Sequence, residues 1–100
     1  MGKDFTAIFA FNDLSAYGVY SRLKEYNLSV PDDISVVGYD NILFSEIIDP
    51  PLTTINQPIV EMGEEAARQL MNMIDNETFI SKNITFQPTL IIRKSTKAKA

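Results

Sequence analysis

Three apolar runs of this chain each end in a pair of amide or carboxylate side chains, and these pairs are the residues that could do chemistry. The runs span residues 7–11, 34–39 and 52–55, and the pairs are Asn12-Asp13, Asp40-Asn41 and Asn56-Gln57. In an open α/β sheet the carboxyl ends of parallel strands meet at one rim, where ligands bind, so we expect the pairs to converge. Carboxylates accept hydroxyl hydrogen bonds, and amides both donate and accept them. The pattern favours a polyhydroxylated ligand, bound by Asp40 with Asn12 and Gln57.

Each of these polar residues also has a purely structural interpretation, because Asn and Asp commonly cap helices and form turns. For Asp40 both interpretations are open. Asp13 stands directly before a predicted helix, so a cap is the favoured interpretation there. The types of these residues therefore suggest a binding site without deciding it.

The sequence offers little that catalysis needs. It contains no histidine for proton transfer near neutral pH and no cysteine nucleophile. Its serines show no base partner, and its glycines are scattered, so they form no phosphate-binding loop. Asp13, Asp40 and Asp49 make only a weak case for a metal site. We therefore predict a protein that is not an enzyme and that holds no metal and no cofactor.

Composition places the chain among globular proteins, with one domain at most. Its 100 residues are 45% hydrophobic and 22% charged, with a net charge of −4. An acidic balance opposes binding to nucleic-acid phosphates. The last residues carry four cations, and we expect a solvated terminus there: Arg93, Lys94, Lys97 and Lys99. No apolar run reaches the roughly 20 residues of a membrane span, and residues 1–4 lack a signal-peptide pattern, which favours a cytoplasmic protein.

Strands and helices alternate along the chain. A helix follows the first polar pair, with apolar or aromatic side chains at helical intervals over residues 14–26. Pro58 fits the first position of a second, amphipathic helix that ends at residues 75–77. Residues 84–86 and 90–92 are predicted as two terminal strands. The order β-α-β-(short helix or loop)-β-α-β-β indicates an α/β fold with a partial, Rossmann-like, largely parallel sheet flanked by helices.

Four segments carry a family resemblance when they are taken in order and at their spacing. They are TAIFAFND at 6–13, VPDDISVVGYDN at 30–41, PPLTTINQP at 50–58 and LIIRKST at 90–96. The series, which extends over residues 5–96, resembles the C-terminal part of the effector-binding domain of LacI/GalR-family transcription repressors. The resemblance implies one lobe of a periplasmic-binding-protein-like fold, in which two lobes enclose a small effector, often a sugar or a nucleobase. It also implies a homodimer and an N-terminal helix-turn-helix that binds operator DNA.

The resemblance further implies roles for individual residues. Asn12, Asp40 and Gln57 correspond to the effector contacts of this lobe. The part of the dimer surface that this lobe supplies corresponds to the helix after the first polar pair and to residues 44–48. Its side chains are Leu14, Tyr17, Phe44, Ile47 and Ile48. The implied partners are a sugar-like effector, a second copy and, through the helix-turn-helix alone, operator DNA, with no membrane.

Residues 1–100 are therefore expected to be a single partial domain, which lacks the helix-turn-helix and the N-terminal lobe. We expect this segment to pair with a second copy, to bind effector weakly and not to bind operator DNA. A fragment of a sugar-binding protein of a transport system is the alternative, because such proteins share the fold. A small nucleotide-using enzyme is disfavoured, because the chain has no phosphate loop and no catalytic base.

Overall fold

The computed structural model describes residues 4–80 and 82–99; residues 1–3, which belong to the signal-peptide prediction, lie outside the described residues. The elements occur in the order β1 (Ala7–Phe9), α1 (Asp13–Glu25), β2 (Ser35–Val37), a 3₁₀ helix η1 (Leu43–Glu46), β3 (Thr54–Asn56), α2 (Ile59–Asp75) and β4 (Thr89–Ile91). The chain divides into two compact units. The first comprises Met1–Asn56 and Thr89–Ala100, and the second comprises Gln57–Pro88.

The strands of the first unit form two two-stranded sheets, β1 with β2 and β3 with β4. β1 pairs with β2 in parallel over three residues of each strand. Isolated parallel bridges then join Val37 to Thr53 and Asp40 to Asn56. β4 pairs with β3 in the antiparallel direction. The predicted α/β fold with a largely parallel sheet is therefore confirmed.

Ser95 completes the hydrogen bonding between β2 and the residues that lead into β3. Its hydroxyl donates to Val36 O (2.5 Å) and accepts from the Thr53 N–H (2.8 Å). Its carbonyl oxygen accepts from the Val36 N–H at 2.9 Å, and the whole residue is buried. A residue from the last part of the chain thus joins β2 to the residues before β3.

The helix α1 begins with a side-chain cap. The Asn12 Oδ1 accepts a hydrogen bond from the Ser15 N–H at 2.8 Å.

The core of the first unit is small and lies between α1 and β2. The buried apolar residues are Ala10, Ala16, Leu23, Ile34, Val36 and Leu52. Leu14 is outside this core and is 67% exposed. The predicted helix is confirmed, and its buried face carries Ala16 and Leu23, which leaves Leu14 available for contacts elsewhere.

The second unit consists of α2 and the segment that follows it. Pro58 is the N-cap of α2, one residue before its predicted place in the helix, and the helix ends at Asp75 as predicted. The Gln69 side chain donates to Lys82 O (3.1 Å) and accepts from the Lys82 N–H (3.0 Å). An amide side chain of the helix thus supplies both hydrogen bonds that a neighbouring strand would give to Lys82.

The predicted strand at residues 84–86 is wrong. Residues 82–88 belong to no strand in the described part of the chain. A strand needs a neighbour that supplies a ladder of hydrogen bonds, and the partner of this segment in its own unit is a helix. The last predicted strand is confirmed, with Leu90 opposite Ile55.

Candidate functional site

The carboxyl ends of β2 and β3 meet at one rim of the first unit. The Asp40 N–H donates to Ile55 O at 2.9 Å, and Asp40 forms a parallel bridge with Asn56. The backbone φ angles of Asp40 and Asn41 are 120° and 58°. Asparagine adopts a φ near 58° readily, whereas a φ of 120° is rare for residues other than glycine. Rare conformations of this kind cost on the order of 1–3 kcal/mol and cluster at functional sites. Asp40 therefore stands at the rim in an unusual backbone conformation, and its role as an effector contact stays a prediction.

The Asn41 side chain makes hydrogen bonds to two other segments of this rim. Its side-chain nitrogen donates to Asn56 Oδ1 (3.0 Å), and its Oδ1 accepts from Arg93 Nη2 (2.7 Å). Arg93 also donates through Nη1 to Leu52 O at 3.0 Å. The prediction of a solvated terminus is therefore wrong for Arg93, whose partly buried guanidinium supports the rim. No local pattern could have revealed this role, because the partners lie 41 and 52 residues earlier in the chain.

A backbone hydrogen bond links the residue after Asn12 to the residue before Asp40. The Asp13 N–H donates to Tyr39 O at 3.0 Å. Asn12 is the chain neighbour of the donor, and Asp40 is the chain neighbour of the acceptor. Gln57 is the first residue of the second unit. The first unit thus brings Asn12 and Asp40 together, and Gln57 is not part of that unit.

Asp13 is a buried carboxylate, and the sequence did not predict this. It is 1% exposed, and its Oδ1 accepts from Thr54 Oγ1 (2.5 Å). Its Oδ2 accepts from Ser45 Oγ (2.5 Å) and from the Ile42 N–H (2.9 Å). The interpretation of Asp13 as a helix cap is wrong, because the cap is Asn12. A buried carboxylate requires hydrogen bonds to both oxygens, and these donors lie 29 to 41 residues away in the sequence.

The residues predicted for a dimer surface differ in their exposure. Leu14, Phe44 and Ile47 are 67%, 58% and 70% exposed. Tyr17 and Ile48 pack against the core, and the Tyr17 hydroxyl shares a hydrogen bond of 2.8 Å with a serine of η1. The first turn of α1 and the region of η1 therefore present large apolar side chains that a partner could cover.

A groove of about 780 Å³ runs along α1 in the first unit. Tyr20, Lys24, Leu28 and Asp49 are among the residues that line it. The Tyr20 hydroxyl donates to Pro50 O at 2.8 Å. Burial raises the pKa of Tyr20 to about 12, so its hydroxyl remains a neutral hydrogen-bond donor at physiological pH.

The comparison with known families matches the chain to the periplasmic binding protein-like domain over residues 3–96. The chain belongs to this family. One relative in it is the HTH-type transcriptional repressor PurR of Vibrio campbellii, which is 44% identical over 97 residues. The alignment covers 97% of this chain and 29% of that repressor, so the chain spans about three-tenths of the relative's length.

Two solved structures of the family share the fold of nearly the whole chain. The LacI family transcriptional regulator from Enterococcus faecalis V583, with bound ribose, is 39% identical with a TM-score of 0.90, and the match covers 94% of this chain and 35% of that one. The lac repressor dimer bound to operator and the anti-inducer ONPF is 35% identical with a TM-score of 0.83, over 93% and 32% of the two chains. The predicted resemblance to the C-terminal part of a LacI/GalR effector-binding domain is confirmed.

The Asp13 side chain packs directly against Gly38, where a larger residue would not fit. A Cβ atom at Gly38 would overlap Asp13 Oδ1 and would lie 2.8 Å from Leu52 Cδ2, and both neighbours are buried. We expect Gly38→Ala to lower the free energy of unfolding by about 1–3 kcal/mol, because the core must shift. The measurement is thermal unfolding followed by circular dichroism.

Gly18→Ala is the matched control for this steric effect. Apart from its chain neighbours and the backbone of its own helix, a Cβ atom at Gly18 meets no heavy atom of the described residues within 4 Å. Alanine favours a helix over glycine by about 1 kcal/mol. The two variants should therefore shift the melting temperature in opposite directions. A Gly38→Ala protein with the same melting temperature as the wild type would contradict the close packing of Gly38.

Proposed function

We propose that these residues are a single partial domain, the C-terminal portion of the effector-binding and dimerisation domain of a LacI/GalR-type transcriptional regulator. The observation that carries the proposal is the rim where Asp40, in a strained conformation, stands at the end of β2 next to the end of β3. In this role the chain catalyses no reaction and acts in the cytoplasm. No helix of the described residues is long and apolar enough to cross a membrane.

The proposed effector is a small, sugar-like molecule bound by Asp40, Asn12 and Gln57. An ionised carboxylate only accepts hydrogen bonds, and two neighbouring hydroxyls can donate to its two oxygens. The cap uses Oδ1 of Asn12, and the amide nitrogen of the same side chain is a donor for a hydroxyl oxygen. The ribose bound to the relative from Enterococcus faecalis supports this class of effector. A transport protein is not favoured, because the relatives described above are named as transcriptional regulators.

The proposed partners are a second copy of the same protein and operator DNA. The exposed side chains Leu14, Phe44 and Ile47, with Tyr17 and Ile48 behind them, form the proposed dimer contact. The lac repressor structure, a dimer on its operator, supports this arrangement. The contact with DNA is assigned to a helix-turn-helix outside these residues, because a net charge of −4 opposes binding to phosphates.

The proposal is tested with the full-length regulator. Operator duplexes are selected from a random pool, and their affinity is then measured by fluorescence anisotropy with and without a panel of sugars that begins with ribose. At least one sugar should change the operator affinity by ten-fold or more. A protein whose operator affinity no sugar in the panel changes would contradict a sugar-responsive regulator.

A further inference from the structure

The buried carboxylate of Asp13 has a feature that the proposed function does not explain. Among residues 4–80 and 82–99, three groups donate to it, two hydroxyls and one backbone amide, and all three are neutral. The two hydroxyls belong to Thr54 of β3 and Ser45 of η1. Each hydroxyl also makes a second hydrogen bond. That of Thr54 is with the Asn41 N–H at the rim, and that of Ser45 is with the Tyr17 hydroxyl at the proposed dimer surface.

The Thr54 hydroxyl leads to the rim. It has one hydrogen atom, which it donates to Asp13 Oδ1 at 2.5 Å. Its oxygen is therefore turned toward the Asn41 N–H as an acceptor, at 3.3 Å. That N–H belongs to the peptide group between Asp40 and Asn41, the two residues with positive φ. Asp13 thus orients the hydroxyl that holds the strained peptide of the proposed effector site.

The Ser45 hydroxyl leads to the proposed dimer surface. It donates its one hydrogen atom to Asp13 Oδ2 at 2.5 Å. In the 2.8 Å hydrogen bond between Ser45 and Tyr17 the tyrosine hydroxyl must therefore be the donor. The Ile42 N–H, at the start of η1, donates to the same carboxylate oxygen at 2.9 Å. Asp13 thus fixes η1, which carries Phe44, against α1.

From this geometry we infer that Asp13 is a positioning residue with two separable arms. The arm through Thr54 sets the backbone of the effector site, and the arm through Ser45 sets the dimer surface. The inference rests on the proposed function, because it assigns each arm to one of its two activities. A carboxylate that only stabilised the fold would give no such separation.

The test uses single variants of the full-length regulator and two measurements on each. Calorimetric titration with the sugar that gave the largest response in the panel measures effector affinity, and sedimentation equilibrium without sugar measures dimer affinity. Thr54→Val keeps the shape of the side chain and removes the hydroxyl. It should weaken effector binding at least five-fold and leave the dimer affinity within two-fold of the wild type. Thr54→Ser retains the hydroxyl and should restore effector affinity.

Ser45→Ala should give the opposite result. The dimer dissociation constant should rise at least five-fold, and effector affinity should stay within two-fold of the wild type. Thr54→Ala repeats the test of the first arm with a second substitution of the same residue, and Tyr17→Phe repeats the test of the second arm at the partner of Ser45. These variants keep the test decisive if a first variant does not fold. All measurements are made at a temperature where circular dichroism shows folded protein.

Two results would overturn the inference. Folded Thr54 and Ser45 variants that change neither affinity, or that change both to the same extent, show that the carboxylate is structural only. A wild-type protein that binds no sugar of the panel contradicts the proposed function itself, and the inference then fails with it. The wild-type titration therefore separates the failure of the proposed function from that of the inference.

Discussion

Replacing Asp13 by alanine is expected to destabilise the fold by about 3–4 kcal/mol. Alanine would leave two hydroxyls and the Ile42 amide in a buried site without their acceptor. An unsatisfied buried polar group costs about 1–3 kcal/mol, and the small cavity adds to that cost. Chemical denaturation of the full-length protein, followed by circular dichroism, measures the loss.

Asp32→Ala is the matched control for this prediction. The Asp32 side chain is 77% exposed, and its ion pair with Lys97 is long, at 3.4 Å. An exposed pair of this kind contributes about 0–1 kcal/mol, so this variant should unfold close to the wild type. Equal losses in the Asp13 and Asp32 variants would show that the buried hydrogen bonds of Asp13 contribute nothing specific to stability.

Replacing Asp40 by alanine is expected to lower effector affinity by ten-fold or more. A hydrogen bond from a hydroxyl to a charged group contributes about 1.5–3 kcal/mol, which corresponds to a factor of roughly 10 to 150 in the dissociation constant. Operator binding in the absence of sugar should persist, because the proposed DNA contact lies outside these residues. Calorimetric titration with the active sugar of the panel measures the change.

Asp40→Gly separates the side chain from its backbone strain. Glycine also lacks the carboxylate, so effector affinity should fall as it does in Asp40→Ala. Glycine adopts a φ of 120° without strain, however, and the glycine variant should be more stable than the alanine variant by about 1 kcal/mol or more. If Asp40→Ala binds the sugar with unchanged affinity, Asp40 is a strand-end cap and not an effector contact.

The sequence was sufficient to predict those parts of the fold that depend on local pattern. The apolar runs before Asn12 and Asp40 placed β1 and β2, and Pro58 placed the start of α2 to within one residue. The rim could also be predicted, because parallel strands bring their carboxyl ends together wherever the chain returns. The bridge between Asp40 and Asn56 shows that β2 and β3 meet in this way.

Features that depend on distant partners could not be predicted. Asp13 precedes a helix just as a capping residue would, and its burial depends on Thr54 and Ser45, which no local pattern connects to it. Arg93 lies in a basic segment that looks like a solvated tail, but its guanidinium donates to a carbonyl oxygen and to an amide oxygen of the rim. Residues 84–86 have the β-branched and aromatic side chains of a strand, but a strand forms only where another strand is available.

The position of Ser95 in the sheet has a consequence for the synthesis of the protein. Its backbone and hydroxyl groups complete the hydrogen bonds of Val36 and Thr53, which the ribosome produces 59 and 42 residues earlier. At elongation rates of about 5–20 residues per second, the nascent chain waits several seconds before this partner is added. During that interval the edges of β2 and of the residues before β3 are open to other strands. The first unit therefore completes the hydrogen bonds between β2 and the residues before β3 only after Ser95 has left the ribosome.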